Sequence, residues 1–79
     1  MIYIKVSDDV VKKRQAIISN IVEIRLEKGL SQMELAKRTS MHRSNICRIE
    51  SGRQNILIDT LIRIFDALGK SILIELIDK

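Results

Sequence analysis

Arg43, Ser44, Asn45 and Arg48 fall within six consecutive positions. A guanidinium is a planar fork of donors that fits a phosphate or the edge of a guanine, while Ser and Asn both give and accept hydrogen bonds. Such a set recognises polar surfaces. It does not make a hydrolase, since no nucleophile–base pair and no glycine-rich phosphate loop accompanies it. His42 is the only histidine and Cys47 the only cysteine, too few for a zinc site. Neither metal nor cofactor is expected, and enzyme activity is not. A lone cysteine rules out an internal disulfide and fits a reducing compartment. At Cys47 the bland reading is a small filler and the sharper one a redox switch.

The groups must be held by a corner. In "SQMELAKRTSMHRSNICRIESG", Ser31 and Glu34 form an S-x-x-E capping box that opens a helix ending near Thr39. That helix turns Leu35 and Ala36 inward. His42 precedes a second short helix, Arg43 to Ser51, with Ile46 and Ile49 inward and Gly52 closing it. So short a break forbids long side-by-side packing and predicts a tight angle, about 90–120° in the helix-turn-helix, whose second helix lies in a DNA major groove. Leu35, Met41, Ile46 and Ile49 form the wedge, and Ala36 is small where the helices approach. Arg43, Ser44, Cys47 and Arg48 are left facing outward. The alternative is a compact helical corner with solvated arginines.

The remaining elements are read from pattern. Seventy-nine residues make one domain, 1–79, near the lower limit for folding on a single core. One Phe, one Tyr and no Trp leave the packing to Ile and Leu. "IYIKV", residues 2 to 6, alternates like a short strand. Ser7 reads as the N-cap of a helix from Asp8 to Lys28 that stops at Gly29, with apolar stripes Ile17/Ile21/Ile24 and Val11/Ile18/Val22/Leu26. Lys12, Lys13 and Arg14 read as a solvated face. After the loop "RQNI", a fourth helix from Leu57 to Leu68 presents Leu61, Ile64, Phe65 and Leu68 and ends at Gly69. "SILIELI", Ser71 to Ile77, is apolar on both faces except at Glu75 and reads as a strand. The expected architecture is mainly α: a helical core over 8–69 of four to five helices, plus short terminal strands. A strand apolar on both faces needs two covers. Pairing of 70–79 across a homodimer supplies them, and pairing with "IYIKV" in the same chain is the other solution.

Charge is unevenly placed. From Arg25 to Asn55 there are seven basic and three acidic residues, so this stretch alone accounts for the net +4 of the chain. Double-stranded DNA is the partner such a surface would meet, against the plain alternative of a solvated basic face. No apolar run approaches the roughly 20 residues of a membrane span, and no secretion-signal pattern opens the chain. A cytoplasmic protein is expected, with no membrane partner.

"GLSQMELAKRTSMHRSNICRIESGRQN" followed by "TLIRIFDALG" resembles the phage-repressor-type (XRE, or Cro/repressor) helix-turn-helix domain over about residues 17 to 69. The resemblance implies a sequence-specific DNA-binding transcriptional regulator. It makes Arg43, Ser44 and Arg48 base-facing and Asn45 a neighbour of that set. Gln32 would touch the DNA backbone and brace the reading helix, and Arg53, Gln54 and Asn55 would meet phosphates. His42, from its position, caps the helix or touches a phosphate. The resemblance also pairs Arg25 with Glu50. The chain departs from the pattern at Ser40, where Gly is usual, at Thr39 in place of an aliphatic residue, and at Ile56 in place of a frequent Pro. The tail "KSILIELIDK" is similar to that of the HipB-like antitoxins, whose C-terminal strand pairs across the dimer; it implies a protein toxin as a further partner.

Overall fold

Helix α1, Val10–Glu27, is capped by Asp9, whose carboxylate accepts the Lys12 backbone N–H at 3.0 Å. The start expected at Asp8 therefore moves inward, because the Asp9 side chain meets an orphan N–H of the first turn. The computed structural model describes residues 9–78; Ser7, Asp8 and the strand expected at 2–6 lie outside them. Three more helices follow: α2, Gln32–Thr39; α3, Arg43–Glu50; and α4, Ile58–Ala67.

The capping box at the start of α2 is complete. Ser31 Oγ accepts the Glu34 N–H at 3.0 Å, and Glu34 Oε1 accepts the Ser31 N–H at 3.1 Å. At the other end Ser40 adopts φ 57° and ψ 35°, the left-handed region. This conformation lets Met41 N–H reach Ala36 O at 2.9 Å and turns the chain toward α3. Ser there costs about 1 kcal/mol relative to Gly, because of its Cβ. Thr39 is buried, and its hydroxyl donates back to Leu35 O and Ala36 O at 2.9 and 3.1 Å, so the polar atom is satisfied inside the core.

One core joins all four helices. Ile18, Ile21 and Ile24 of α1 meet Leu35 and Ala36 of α2, Ile46 of α3, and Leu61, Ile64 and Phe65 of α4, with Leu68 at its cap. The two stripes expected on α1 are thus divided differently. Ile18 joins the buried face with Ile21 and Ile24, and Ile17 packs at its edge. Val11 and Leu26 are exposed among the described residues.

Over 71–77, the segment expected to be a strand, no strand is present among the described residues. Residues 71–78 carry neither helix nor strand, and no ladder is present among the described residues. Ile72 packs against the core, but Leu73, Ile74, Leu76 and Ile77 face solvent. A strand is defined by its ladder, and none of the described residues pairs with this segment. No helix among the described residues is long and apolar enough to cross a membrane.

Candidate nucleic-acid interface

A chain of hydrogen bonds runs from α1 to the first residue of α3. Arg25 is buried, and its Nη1 donates to Leu30 O at 2.8 Å. Its Nε and Nη2 grip Glu50 Oε2 and Oε1 at 2.7 and 2.9 Å, a bidentate pair whose side chains are 10% and 6% exposed. Gln32 Nε2 donates to the same Glu50 Oε1 at 3.0 Å, and Gln32 Oε1 accepts from Arg43 Nη1 at 3.4 Å. Desolvation offsets much of the attraction in such a pair, so its main physical effect is directional. It fixes the C-terminal end of α3 against α1, while Ile46 fixes the middle.

With one side of α3 held down, the other is open. Arg43, Ser44, Cys47 and Arg48 are exposed, and Asn45 is half-buried. Asn45 Oδ1 accepts from Arg48 Nη2, an i, i+3 contact that holds the guanidinium along the helix. His42 occupies the N-cap position of α3 but makes no side-chain cap bond, so the capping role expected for it is not realised. Its ring is exposed. Ser51 Oγ donates to Arg48 O at 2.6 Å and accepts the Arg53 N–H at 3.4 Å, closing the helix and starting the loop. Arg53, Gln54 and Asn55 are all exposed on that loop. A recess of about 210 Å³ brings Asn45 and Arg48 of α3 together with Gln54 and Asn55 of the loop and Thr60 of α4.

A helix-turn-helix family model matches residues 21–74 of this sequence. The chain belongs to the phage-repressor-type helix-turn-helix family. Among its relatives is an uncharacterized HTH-type transcriptional regulator, y4dJ, of Sinorhizobium fredii, 36% identical over 58 residues that cover 73% of this chain and 75% of the relative. Another is an uncharacterized HTH-type transcriptional regulator of Haemophilus influenzae, 33% identical over 59 residues. There the match covers 75% of this chain but only 60% of the relative's length.

Within this helix-turn-helix domain, two arrangements add to the reading of the sequence. Gln32 is engaged at both ends of its amide, so it links Glu50 to Arg43. Arg14, grouped with Lys12 and Lys13 as a solvated face, instead reaches across to the loop: its Nε donates to Gly52 O and its Nη1 to Asn55 Oδ1, both at 3.2 Å. The signal was in the spacing. Arg14 lies four residues before Ile18 and eleven before Arg25, on the buried face of α1, whereas Lys12 points elsewhere on the helical wheel.

Proposed function

We propose that this helix-turn-helix domain is a sequence-specific DNA-binding regulator of transcription, acting as a homodimeric repressor. The observation that carries the reading is the division of α3. One side is locked by Ile46 and the Arg25–Glu50 pair, and the other offers Arg43, Ser44 and Arg48 to solvent. In this reading α3 enters the major groove, and Arg43, Ser44, Asn45 and Arg48 read base edges. Gln32, His42, Arg53, Gln54 and Asn55 contact the phosphate backbone. Gln32 keeps a second Nε2 proton beyond the one given to Glu50, enough for one phosphate bond. Occupying a promoter is then the repressing event, and the site of action is the cytoplasm.

The homodimer is supported by the tail. Leu73, Ile74, Leu76 and Ile77 are exposed, and pairing two copies of 71–77 as strands would cover them while completing the missing ladder. Two half-sites would then lie about 34–36 Å apart. Selecting bound duplexes from a random pool tests the whole reading, with a two-fold symmetric site expected. Arg48→Ala should relax one base position in each half-site at a cost of about 1–3 kcal/mol. If the variant selects the same site with the same affinity, Arg48 is not a reading residue.

A second reading shares these parts: an antitoxin that neutralises a protein toxin and uses DNA binding to regulate its own operon. The same exposed tail favours it, since an apolar segment can seat a partner of a different kind. Co-expression with the product of a neighbouring gene, followed by copurification, supports it. A neighbourhood that encodes nothing able to bind the chain removes it.

A further inference from the structure

Helix α1 touches the chain of α3 and its following loop through two arginines. Arg14 and Arg25 are eleven residues apart, which at 100° per residue returns to within about 20° of the same face, about 16 Å further along the axis. Arg25 grips Glu50, the last residue of α3. Arg14 spans the loop that follows, from the carbonyl of Gly52 to the side chain of Asn55. We propose that Arg14 is a positioning residue for the Arg53–Asn55 loop, setting it for contact with DNA phosphates. The proposal rests on the reading of that loop as a backbone contact, and Arg14 itself lies before the segment matched by the family model.

Three features give the clamp its effect. Gly52 is buried at φ +69°, and a Cβ there would come within 3.5 Å of Gln15 Cγ, so the loop leaves α3 directly against α1. Two donors of one rigid fork then fix both ends of the four-residue stretch Gly52–Asn55 at a set spacing, which the flexible ammonium of a lysine does not impose. Finally, donation to Asn55 Oδ1 settles which end of that amide is left for a ligand. The oxygen is occupied, so the two Nδ2 protons remain, and a phosphate oxygen needs donors. Without Arg14 the amide is free to present its oxygen, which a phosphate repels.

The test uses Arg14→Lys, which keeps the charge and loses the fork, alongside Arg53→Ala and the double variant. Each is titrated against a duplex selected by the wild-type chain, well below its unfolding temperature. Arg14→Lys should weaken binding about tenfold, roughly the net contribution of one hydrogen bond. The double variant should lose less than the sum of the two single losses, because a displaced loop has already lost part of the Arg53 contact while the Asn55 contact is lost separately. In the free protein, amides 53–55 should exchange faster in Arg14→Lys while those of α2 are unchanged, a pattern that general destabilisation does not produce. Wild-type affinity in Arg14→Lys, fully additive losses, or unchanged loop exchange would each overturn the clamp. If the wild-type chain selects no duplex at all, the DNA reading fails first and takes the loop's role with it.

Discussion

Residues 31–52 and residues 71–77 both leave long side chains in solvent, but of opposite kinds. The corner exposes cations: Lys37, Arg38, Arg43 and Arg48 stand outside, while Leu35, Ala36 and Ile46 are fully inside. The tail exposes hydrocarbon, with Leu76 at 96% and Ile77 at 77% of their full accessibility. A solvated guanidinium is at ease in water until a phosphate replaces the water, so the corner is complete without a ligand. Exposed Leu and Ile side chains gain about 1.5–3 kcal/mol each on burial, so the tail is a surface with unspent association energy. One region is at ease in water; the other exposes hydrocarbon that burial would stabilise.

The sharpest way to break the corner is Arg25→Met. It strands Glu50, 6% exposed, with only the Gln32 amide beside it, and should destabilise the domain by about 3–5 kcal/mol in denaturant unfolding. The double change Arg25→Met with Glu50→Leu removes the buried charge as well. It should recover most of that stability yet lose DNA affinity, because α3 is no longer aimed. If the double variant unfolds as readily as the single one, a stranded carboxylate is not the cause.

At the tail, Leu76→Glu acts in the opposite sense. The side chain touches little within the chain, so the unfolding free energy of the monomer should stay within about 0.5 kcal/mol of wild type. Self-association, followed by sedimentation equilibrium, should weaken about 100-fold or more, since each copy of a homodimer loses one buried Leu. An unchanged monomer–dimer equilibrium would show that the tail's hydrocarbon meets something other than a second copy.

The same contrast explains what could be read in advance. The inward set of α4, Leu61, Ile64, Phe65 and Leu68, follows from helical periodicity, and the Ser31–Glu34 capping box follows from a four-residue signature; both depend only on neighbours in sequence. The start of α1 was misplaced because Ser7, Asp8 and Asp9 are all acceptable caps, and which one serves depends on where the helix packs. Arg14 was misread because a guanidinium in a run of charges resembles a solvated face; its partners lie 38 and 41 positions away. The tail's β-branched pattern is plain in sequence, yet a strand requires a second segment, and pattern alone does not say which one.

A smaller change sharpens the corner further. Ser40 holds φ 57° at the turn between α2 and α3, where Gly pays no steric penalty. Ser40→Gly should stabilise the domain by about 1 kcal/mol, raising Tm by about 4–8 °C for a chain of this size. DNA affinity should not fall, since no group of the reading surface is touched. A Tm that stays put would mean that the Ser backbone is unstrained.

The smallest effect lies at the exposed start of the same helix. The Ser31 backbone N–H and then the Ser31 side chain hold the Glu34 carboxyl below its ordinary range, desolvation opposes them in part, and the charges of Arg38 and Lys37 add smaller help. A carboxylate whose pKa is lower in the folded state stabilises the fold fully above its unfolded value, and that contribution fades as pH falls through the folded one. Glu34→Gln keeps an acceptor for Ser31 but cannot titrate. Wild type should therefore be the more stable of the two at neutral pH, and the gap should close as pH drops below about 4. A gap that is constant across that range would place the stabilising effect of Glu34 in its shape rather than its charge.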